Sequence, residues 1–561
     1  MPYRSALSFL LALPLAAAAA DKPNLVFIMA DDLGWADTSN PLTTAGDPSD
    51  YYQTPMLERL ASEGVAFTNA YALQNCAPTR AALLTGLYAV RRENNVYQVG
   101  NLNRGGKKTM LVGPPQGCDP AGINDKIPAA AVTLAETLRG AGYRTGYFGK
   151  FHVTQSASAI VTEHGFTENF GGSTSGSPGN YLAQRGRYDT RIGPAINHFA
   201  MPYTQPYVDQ NIKPFANGTS LTAIDALVGT EKHLTDATTD AALDFMERNA
   251  GGDPFLVFFS THAVHSPIGD KQARPDLLAK YKALPPGDED SNASFGALIE
   301  GLDQSVARLV RRLESTPDAS NPGRTLADNT VLIFFSDNGG SQSQSNNGPL
   351  KGQKGELDEG GIRVPMIAWS ANPTLVRGGR VIDTPVHCVD FHQTFAALAG
   401  VEPAPGAGRD GVDLSGLFAD PDAELAARNL YWHLPGYLVD QRRQRPQSVV
   451  RSGDMKLLYN YEDHSWELYN LASDVGEANN LAATQPEVVA KLGAELMAWL
   501  DNANAPLAML REGQPPLRLR VTGKSYADGE IRAHAGETMV INPGDEVPMM
   551  LGEVGVVSVS D

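Results

Sequence analysis

The chain has 561 residues, 42% of them hydrophobic, and a formal net charge of −18. That length exceeds one compact core, so a large domain with a smaller companion is expected, and the hydrophobic share excludes a disordered chain. The acidic balance argues against nucleic acid and anionic membrane as partners, and it requires that any anion site be a local concentration of cations.

Arg4, the apolar stretch 6–15 and the small residues 16–20 read as a signal peptide over 1–20, with Asp21 opening the mature chain. The protein is therefore expected to be exported, periplasmic or extracellular, with no membrane segment after cleavage, because no later run is apolar enough to span a bilayer. Residues 24–30 form an apolar run without alternation, as in a strand buried on both faces, and it stops at Asp31-Asp32-Leu-Gly34. A helix follows, with Thr54 as N-cap, Pro55 as its first residue and Gly64 as its stop. Residues 65–71 read as a strand, 133–142 as a helix with a Thr133/Glu136 capping box, and 143–148, 254–260 and 331–336 as further strands. Strands alternating with helices predict an α/β domain, a large mostly parallel sheet flanked by helices, over 21–435.

The Gln-, Arg- and Pro-rich stretch 435–446 marks a linker or surface loop. A smaller α+β subdomain is expected over 436–510. Its antiparallel strands fall at 449–461 and 466–471, and its helix at 484–502 carries a Thr484/Glu487 capping box and an apolar stripe at Leu492, Leu496, Trp499 and Leu500. Short β-like runs without an evident role fill 511–561. The stretches 88–124, 171–214 and 339–350 are long, polar and rich in Gly and Asn, as rim loops are.

In a parallel sheet, chemistry lies beyond the carboxyl ends of the strands. The unusual polar residues fall there: Asp31 and Asp32, Lys150 and His152, His262 and His265, Asp337 and Asn338. The two pairs Asp31/Asp32 and Asp337/Asn338 are hard oxygen donors, suited to Ca²⁺ or Mg²⁺ and not to zinc. Cys76, with Pro78 and Gly86 framing a helix behind it, sits at a helix N-terminus, which lowers a thiol pKa and favours anions. Taken alone, Cys76 is either a thiolate nucleophile or a buried small hydrophobe. The cysteines number three, Cys76, Cys118 and Cys388, so one thiol is left over, and whether Cys118 and Cys388 pair is open.

The spacing Cys76-Ala-Pro-Thr-Arg80 followed by Thr85-Gly86 resembles the sulfatase signature, in which the cysteine is oxidised to formylglycine. From residue 23 to about residue 500 the chain resembles the type I sulfatases of the alkaline phosphatase superfamily. The landmarks come in that family's order: Asp31-Asp32-Leu-Gly34, the Cys76 signature, Gly149-Lys150-Phe-His152, Ala263-Val-His265-Ser-Pro267, Ser336-Asp337-Asn338-Gly339, and Lys354 with Glu359-Gly-Gly-Ile-Arg363. The chain departs from the family at Phe151 and Val153-Thr154, where Trp and Leu-Gly are usual, so the local pocket shape there is open. An alkaline-phosphatase-like fold is implied.

The resemblance further implies a Ca²⁺ ion (Mg²⁺ by the same donors) on Asp31, Asp32, Asp337 and Asn338. It implies sulfate binding by Lys150, Lys354 and His265, and catalysis by Cys76 as formylglycine with Arg80, His152 and His265. A hydroxyl of the hydrated aldehyde attacks sulfur, His265 or Lys354 protonates the leaving alcohol, and His152 takes the proton of the second hydroxyl to expel sulfate. His262 is either structural or substrate-facing. The partners implied are a formylglycine-generating maturation system and a sulfated substrate. Export and a loop-rich scaffold favour a sulfated polysaccharide or oligosaccharide. The alternatives are a phosphonate monoester or phosphodiester hydrolase of the same superfamily, a non-catalytic sulfated-glycan binder, and a cysteine hydrolase that leaves the two acidic pairs unexplained.

Overall fold

The structure is a computed structural model that describes residues 22–559 except 46, 92–93, 98–101, 103–108, 116–122, 402–407 and 439–442. The expected signal peptide and Cys118 lie outside the described residues, and Cys388 is a buried free thiol. A 9-stranded sheet forms the frame, in the order Val386–His387, Val65–Tyr71, Arg363–Trp369, Thr330–Ser336, Asn24–Ala30, Phe255–Ser260, Arg144–Gly149 and Glu168–Phe170, with Arg380–Ile382 also pairing Val65–Tyr71. Every strand but Arg363–Trp369 runs one way; that one is antiparallel to both neighbours.

Alternate side chains of the central strand enter two cores. Leu25, Phe27 and Met29 meet Ala81, Leu138 and Phe391 from the helices Cys76–Thr85, Leu134–Gly140 and Asp390–Leu398. Val26, Ile28 and Ala30 meet Leu60, Ala242 and Leu298 from Pro55–Glu63, Leu234–Asn249 and Ala293–Ser315 on the other face. This two-sided burial is why the strand reads as a continuous apolar run. The Thr133/Glu136 capping box is present with both of its bonds. Thr54 precedes its helix but makes no cap bond; its hydroxyl accepts from Ser39 N instead, at 2.9 Å.

A four-stranded antiparallel sheet follows, Asn429–Leu434, Gln447–Ser452, Met455–Asn460 and Ser465–Asn470, and the helix Pro486–Ala503 buries Leu492, Leu496 and Leu500. Trp499 is half-buried and stacks on Tyr431 with ring centroids 4.6 Å apart. The expected Thr484 cap is not formed. Pro486 starts the helix behind Gln485, and the Thr484 hydroxyl donates to Leu481 O at 3.0 Å. The tail forms two three-stranded antiparallel sheets, and Met509–Leu510 pairs with Leu111–Val112 of the large domain.

Candidate active site

The register of the large sheet builds the site. Ala30 pairs with Ser336, Met29 with Ser260, and Ser260 with Gly149, so Asp31, Asp337, Lys150 and Thr261 emerge from one edge. Gly149 has φ +102°, and a Cβ there would lie 2.0 Å from Ser260 O, so only glycine lets the chain turn into Lys150 at this closeness. The helix Cys76–Thr85 points its first turn at the same edge. Asn75 stands extended before it, and Cys76 is the first helical residue.

Cys76 is 4% exposed, its Sγ 3.7 Å from Asp31 Oδ1 and 4.0 Å from Asp32 Oδ1. Burial pushes its thiol up to about 11, and the Asp337 and Asp31 carboxylates push the same way, against Lys150 and Lys354. Of the two readings that Cys76 allows taken alone, the thiolate is not favoured: desolvation outweighs the helix dipole here. Asp31 is fully buried, with Lys150 Nζ 2.8 Å from both of its oxygens. Burial pushes its carboxyl up to about 8, with Asp337 and Asp32 adding to the effect and Lys150 opposing it. Burial also raises Asp32, but Lys354 Nζ at 2.5 Å and His265 Nε2 at 3.7 Å overrule it and hold that carboxyl well below its usual range.

Arg80 is buried and uses its whole fork. Nε and Nη2 donate to Asp337 Oδ2 at 2.9 and 2.6 Å, and Nη1 donates to Lys150 O and Ser260 Oγ, each at 2.6 Å. Asn338 Nδ2 donates to Asp32 Oδ1 at 2.9 Å, while its Oδ1 is buried without a hydrogen-bond partner. One ligand atom from each of Asp31, Asp32, Cys76 and His265 falls within a 4.8 Å cluster, the kind that holds a metal ion. His265 Nδ1 donates to Ser266 O at 2.6 Å, which leaves Nε2 facing Asp32.

His152 adopts φ 75°; its ring packs against Gly176, where a Cβ would lie 2.5 Å from Nε2, and its Nδ1 is buried without a partner. Burial and then the cations Lys150, Arg80 and Lys354 hold it well below the usual histidine range, so it stands as a neutral imidazole. His262 is buried and held low in the same way, with a partnerless Nδ1. Its carbonyl, like that of His265, accepts from the Tyr181 hydroxyl.

The structure thus brings Asp31, Asp32, Cys76, Arg80, Lys150, His265, Asp337, Asn338 and Lys354 into one contact network. His152 couples to it electrostatically, without a direct bond among those described. Sequence reasoning missed three members. Ser260 accepts from Arg80 and donates to Lys150 O at 2.8 Å, signalled only by its place at a strand end. Gln74 O accepts from Gly355 N at 2.6 Å, and Gln444 Nε2 donates to Lys354 O at 2.7 Å, which pins the Lys354 loop from two sides. Neither contact has a local sequence signal.

The Sulfatase family profile matches residues 23–401, and that of the N-sulphoglucosamine sulphohydrolase C-terminal region matches 353–503. A "Sulfatase" of Formosa agariphila is 38% identical over 514 residues, covering 87% of this chain and 90% of that protein. Human N-acetylgalactosamine-6-sulfatase is 30% identical over 405 residues, covering 71% of this chain and 66% of the relative. The crystal structure of Ps i-CgsB is 26% identical with a TM-score of 0.63, covering 87% of this chain and 94% of that one, and a further structure of Ps i-CgsB holds k-i-k-neocarrahexaose. With two thirds of its length inside the family profile and relatives of the same kind along most of the remainder, the chain belongs to the sulfatase family, as a type I sulfatase of the alkaline phosphatase superfamily.

Proposed function

We propose that this sulfatase is exported and removes sulfate from a sulfated polysaccharide or oligosaccharide, using formylglycine made from Cys76 by a maturation system and a bound Ca²⁺ ion. The observation that carries the reading is the Cys76 side chain placed between Asp31 and Asp32, with Arg80, Lys150 and Lys354 converging on the same carboxylates. These are local cations in a chain of net charge −18, as an anionic ester requires. The carbohydrate class is supported by relatives whose names state an amino-sugar sulfate and by a related structure holding a neocarrahexaose. No described helix is long and apolar enough to cross a membrane.

The residues present fit a hard divalent cation: three carboxylates converge, and the buried Asn338 Oδ1 lacks any protein partner. Asp31, Asp32, Asp337 and Asn338 would hold the ion, which supplies charge neutralisation at the sulfate oxygens. Formylglycine at position 76 supplies the oxygen nucleophile that a buried, protonated thiol does not.

The chain's own side chains perform the remaining work. Arg80 fixes Asp337 and the Lys150 backbone in one rigid fork. Lys150 and Lys354 hold the sulfate oxygens from two sides and offset the charge that develops on them. His265 and Lys354, both partly exposed, stand at the open end, where the alcohol departs and takes a proton. His152, buried and neutral, accepts the proton that releases sulfate.

The test is a desulfation screen over N-acetylgalactosamine 6-sulfate, glucosamine sulfates, carrageenan oligosaccharides and 4-nitrophenyl sulfate, with phosphate mono- and diesters alongside and released anion measured directly. Sulfate release from a saccharide supports the proposal. Faster turnover of a phosphodiester than of every sulfate overturns it.

A further inference from the structure

Two cavities lie on either side of Ser343 and Gln344, which line both, and their linings differ in charge. The inner one, about 140 Å³, is lined by Asp32, His265 and Lys354 together with Ser343 and Gln344. The outer one, about 490 Å³, shares Ser343 and Gln344 and continues along Glu289, Asp290, Asn292 and Asn346. The cationic side chains of the two adjoining linings lie in the inner lobe. Among the described residues, the outer lobe is lined mainly by amides, hydroxyls and carboxylates, with Leu350 the one aliphatic side chain and no Lys, Arg or His.

The outer lobe is also a fixed surface. Asn292 Nδ2 donates to Gln344 Oε1 at 3.0 Å, and the Asn346 amide donates to Glu289, so the loop around 287–292 is tied to the loop 341–347. Asp290 accepts from Ser49 Oγ at 2.6 Å, and Asn292 Oδ1 accepts from Phe295 N at 3.1 Å at the start of a long helix. Side-chain amides and carboxylates offer the mixture of acceptors and donors that sugar hydroxyls match. An anionic group placed there meets Glu289 and Asp290 with no cation to offset them.

We propose that the outer lobe is a subsite for an uncharged hexose unit next to the sugar that carries the scissile sulfate, and that it rejects a sulfated or carboxylated neighbour. This inference rests on the proposed desulfation of a saccharide in the inner lobe and adds what must be joined to it. The cleft as a whole then admits one anionic group, at the Lys354 end, and reads the absence of a second as a specificity element.

The experiment uses the full-length mature enzyme and two series of disaccharides, one built on N-acetylgalactosamine 6-sulfate and one of carrageenan type. In each series the neighbouring unit is a plain hexose, a sulfated hexose or a hexuronate. 4-Nitrophenyl sulfate, too short to reach the outer lobe, is the reference. Wild type is expected to show kcat/KM at least about tenfold higher with the plain hexose neighbour, the scale of one unscreened like-charge contact near a protein surface. Glu289→Lys is expected to raise kcat/KM on the charged neighbours at least about threefold by removing part of that repulsion, with the reference rate unchanged. Equal or better turnover of the charged neighbours by wild type, or an unmoved ratio in Glu289→Lys, overturns the subsite. Turnover of 4-nitrophenyl sulfate without any disaccharide preference overturns the subsite alone, whereas no sulfate release from any substrate overturns the catalytic reading and the subsite with it.

Discussion

Replacing Lys456 by methionine removes a cation shared by two buried carboxylates. Lys456 Nζ lies 3.0 Å from Glu359 and 2.9 Å from Glu477, and all three side chains are fully buried. Glu359 keeps the Tyr71 hydroxyl at 2.6 Å and Arg363 at 3.4 Å, but the Glu477 carboxylate keeps only the bond from Glu359 N, at 2.7 Å, among the contacts described. Methionine preserves the aliphatic stem, so the loss is electrostatic and not a cavity. Breaking a buried pair costs about 3–5 kcal/mol, because the abandoned charge stays desolvated.

Burial already holds Glu477 above the carboxylate range, at about 7, and Lys456 is the main cation opposing that rise. Without Lys456 the folded-state pKa climbs further above the unfolded one. The folded state is then the better proton binder, and its stability is lost as pH rises from the carboxylate range through the folded pKa. Lys456→Met should therefore cost about 3–5 kcal/mol where Glu477 is ionised, and about 1.4 kcal/mol less for each pH unit from the new pKa down to about 7, below which the wild-type group is protonated as well and the difference levels off. Adding Glu477→Gln should recover part of the loss at pH 8. The assay is denaturant unfolding followed by tryptophan fluorescence at pH 8 and pH 6, with turnover measured in parallel, since Glu359 anchors the segment that follows Lys354. A variant within about 1 kcal/mol of wild type at pH 8, or a loss equal at both pH values, would refute the reasoning.

Peptide mass spectrometry should show residue 76 lighter than cysteine by about 18 Da in active enzyme; an intact thiol in fully active protein contradicts the formylglycine proposal. Cys76→Ser is expected to turn over once and keep about 80 Da on the peptide, because one hydroxyl attacks and none remains to eliminate the product; sustained turnover near the wild-type rate rules that out. Stripping divalent cations with a strong chelator should abolish turnover, with Ca²⁺ restoring it; undiminished activity after verified removal excludes a metal. Arg80→Lys loses at least two of its four charge-assisted bonds, about 1.5–3 kcal/mol each, so kcat/KM on 4-nitrophenyl sulfate should fall about 10²- to 10⁴-fold; a fall under about tenfold would contradict the fork's role. His433 is buried, its Nε2 donating to Pro506 O, and burial lowers it to about 4. Its unfolded form takes up the proton first, so the stability it contributes is present above the ordinary histidine pKa and lost as pH falls toward about 4. His433→Gln, which keeps a donor, should show a shallower stability loss from pH 7 to 5 than wild type, and matching slopes would count against this.

The parts legible in the sequence are those decided by short-range pattern. The run Asn24–Ala30 announces a doubly buried strand because every side chain must meet one core or the other. The Thr133/Glu136 box forms because both bonds are local. The acidic pairs at 31–32 and 337–338 converge because parallel pairing puts strand ends on one edge. What was not legible depends on partners far away. Arg363–Trp369 enters the sheet antiparallel, and its residues carry no mark of direction. The Cys76 thiol follows its desolvation and not its helix position. The Thr484/Glu487 spacing mimics a capping box, but Pro486 fixes the helix start two residues later. Ser260, Gln74 and Gln444 act on the Lys150 and Lys354 segments through single long-range bonds that no periodicity encodes.

The contact between Asp32 and Lys354 closes a separation of 322 residues, and that between Arg80 and Asp337 closes 257. Each arm of the pocket hangs from a different strand or turn of the same sheet, so no contiguous fragment contains a working subset. Turnover in this fold is consequently an all-or-none reporter: on heating, it should vanish together with the amide protection of Asn24–Ala30 rather than ahead of it. A truncation that spares the sequence around Cys76 but deletes the strand Thr330–Ser336 leaves a chain with the signature and without an enzyme.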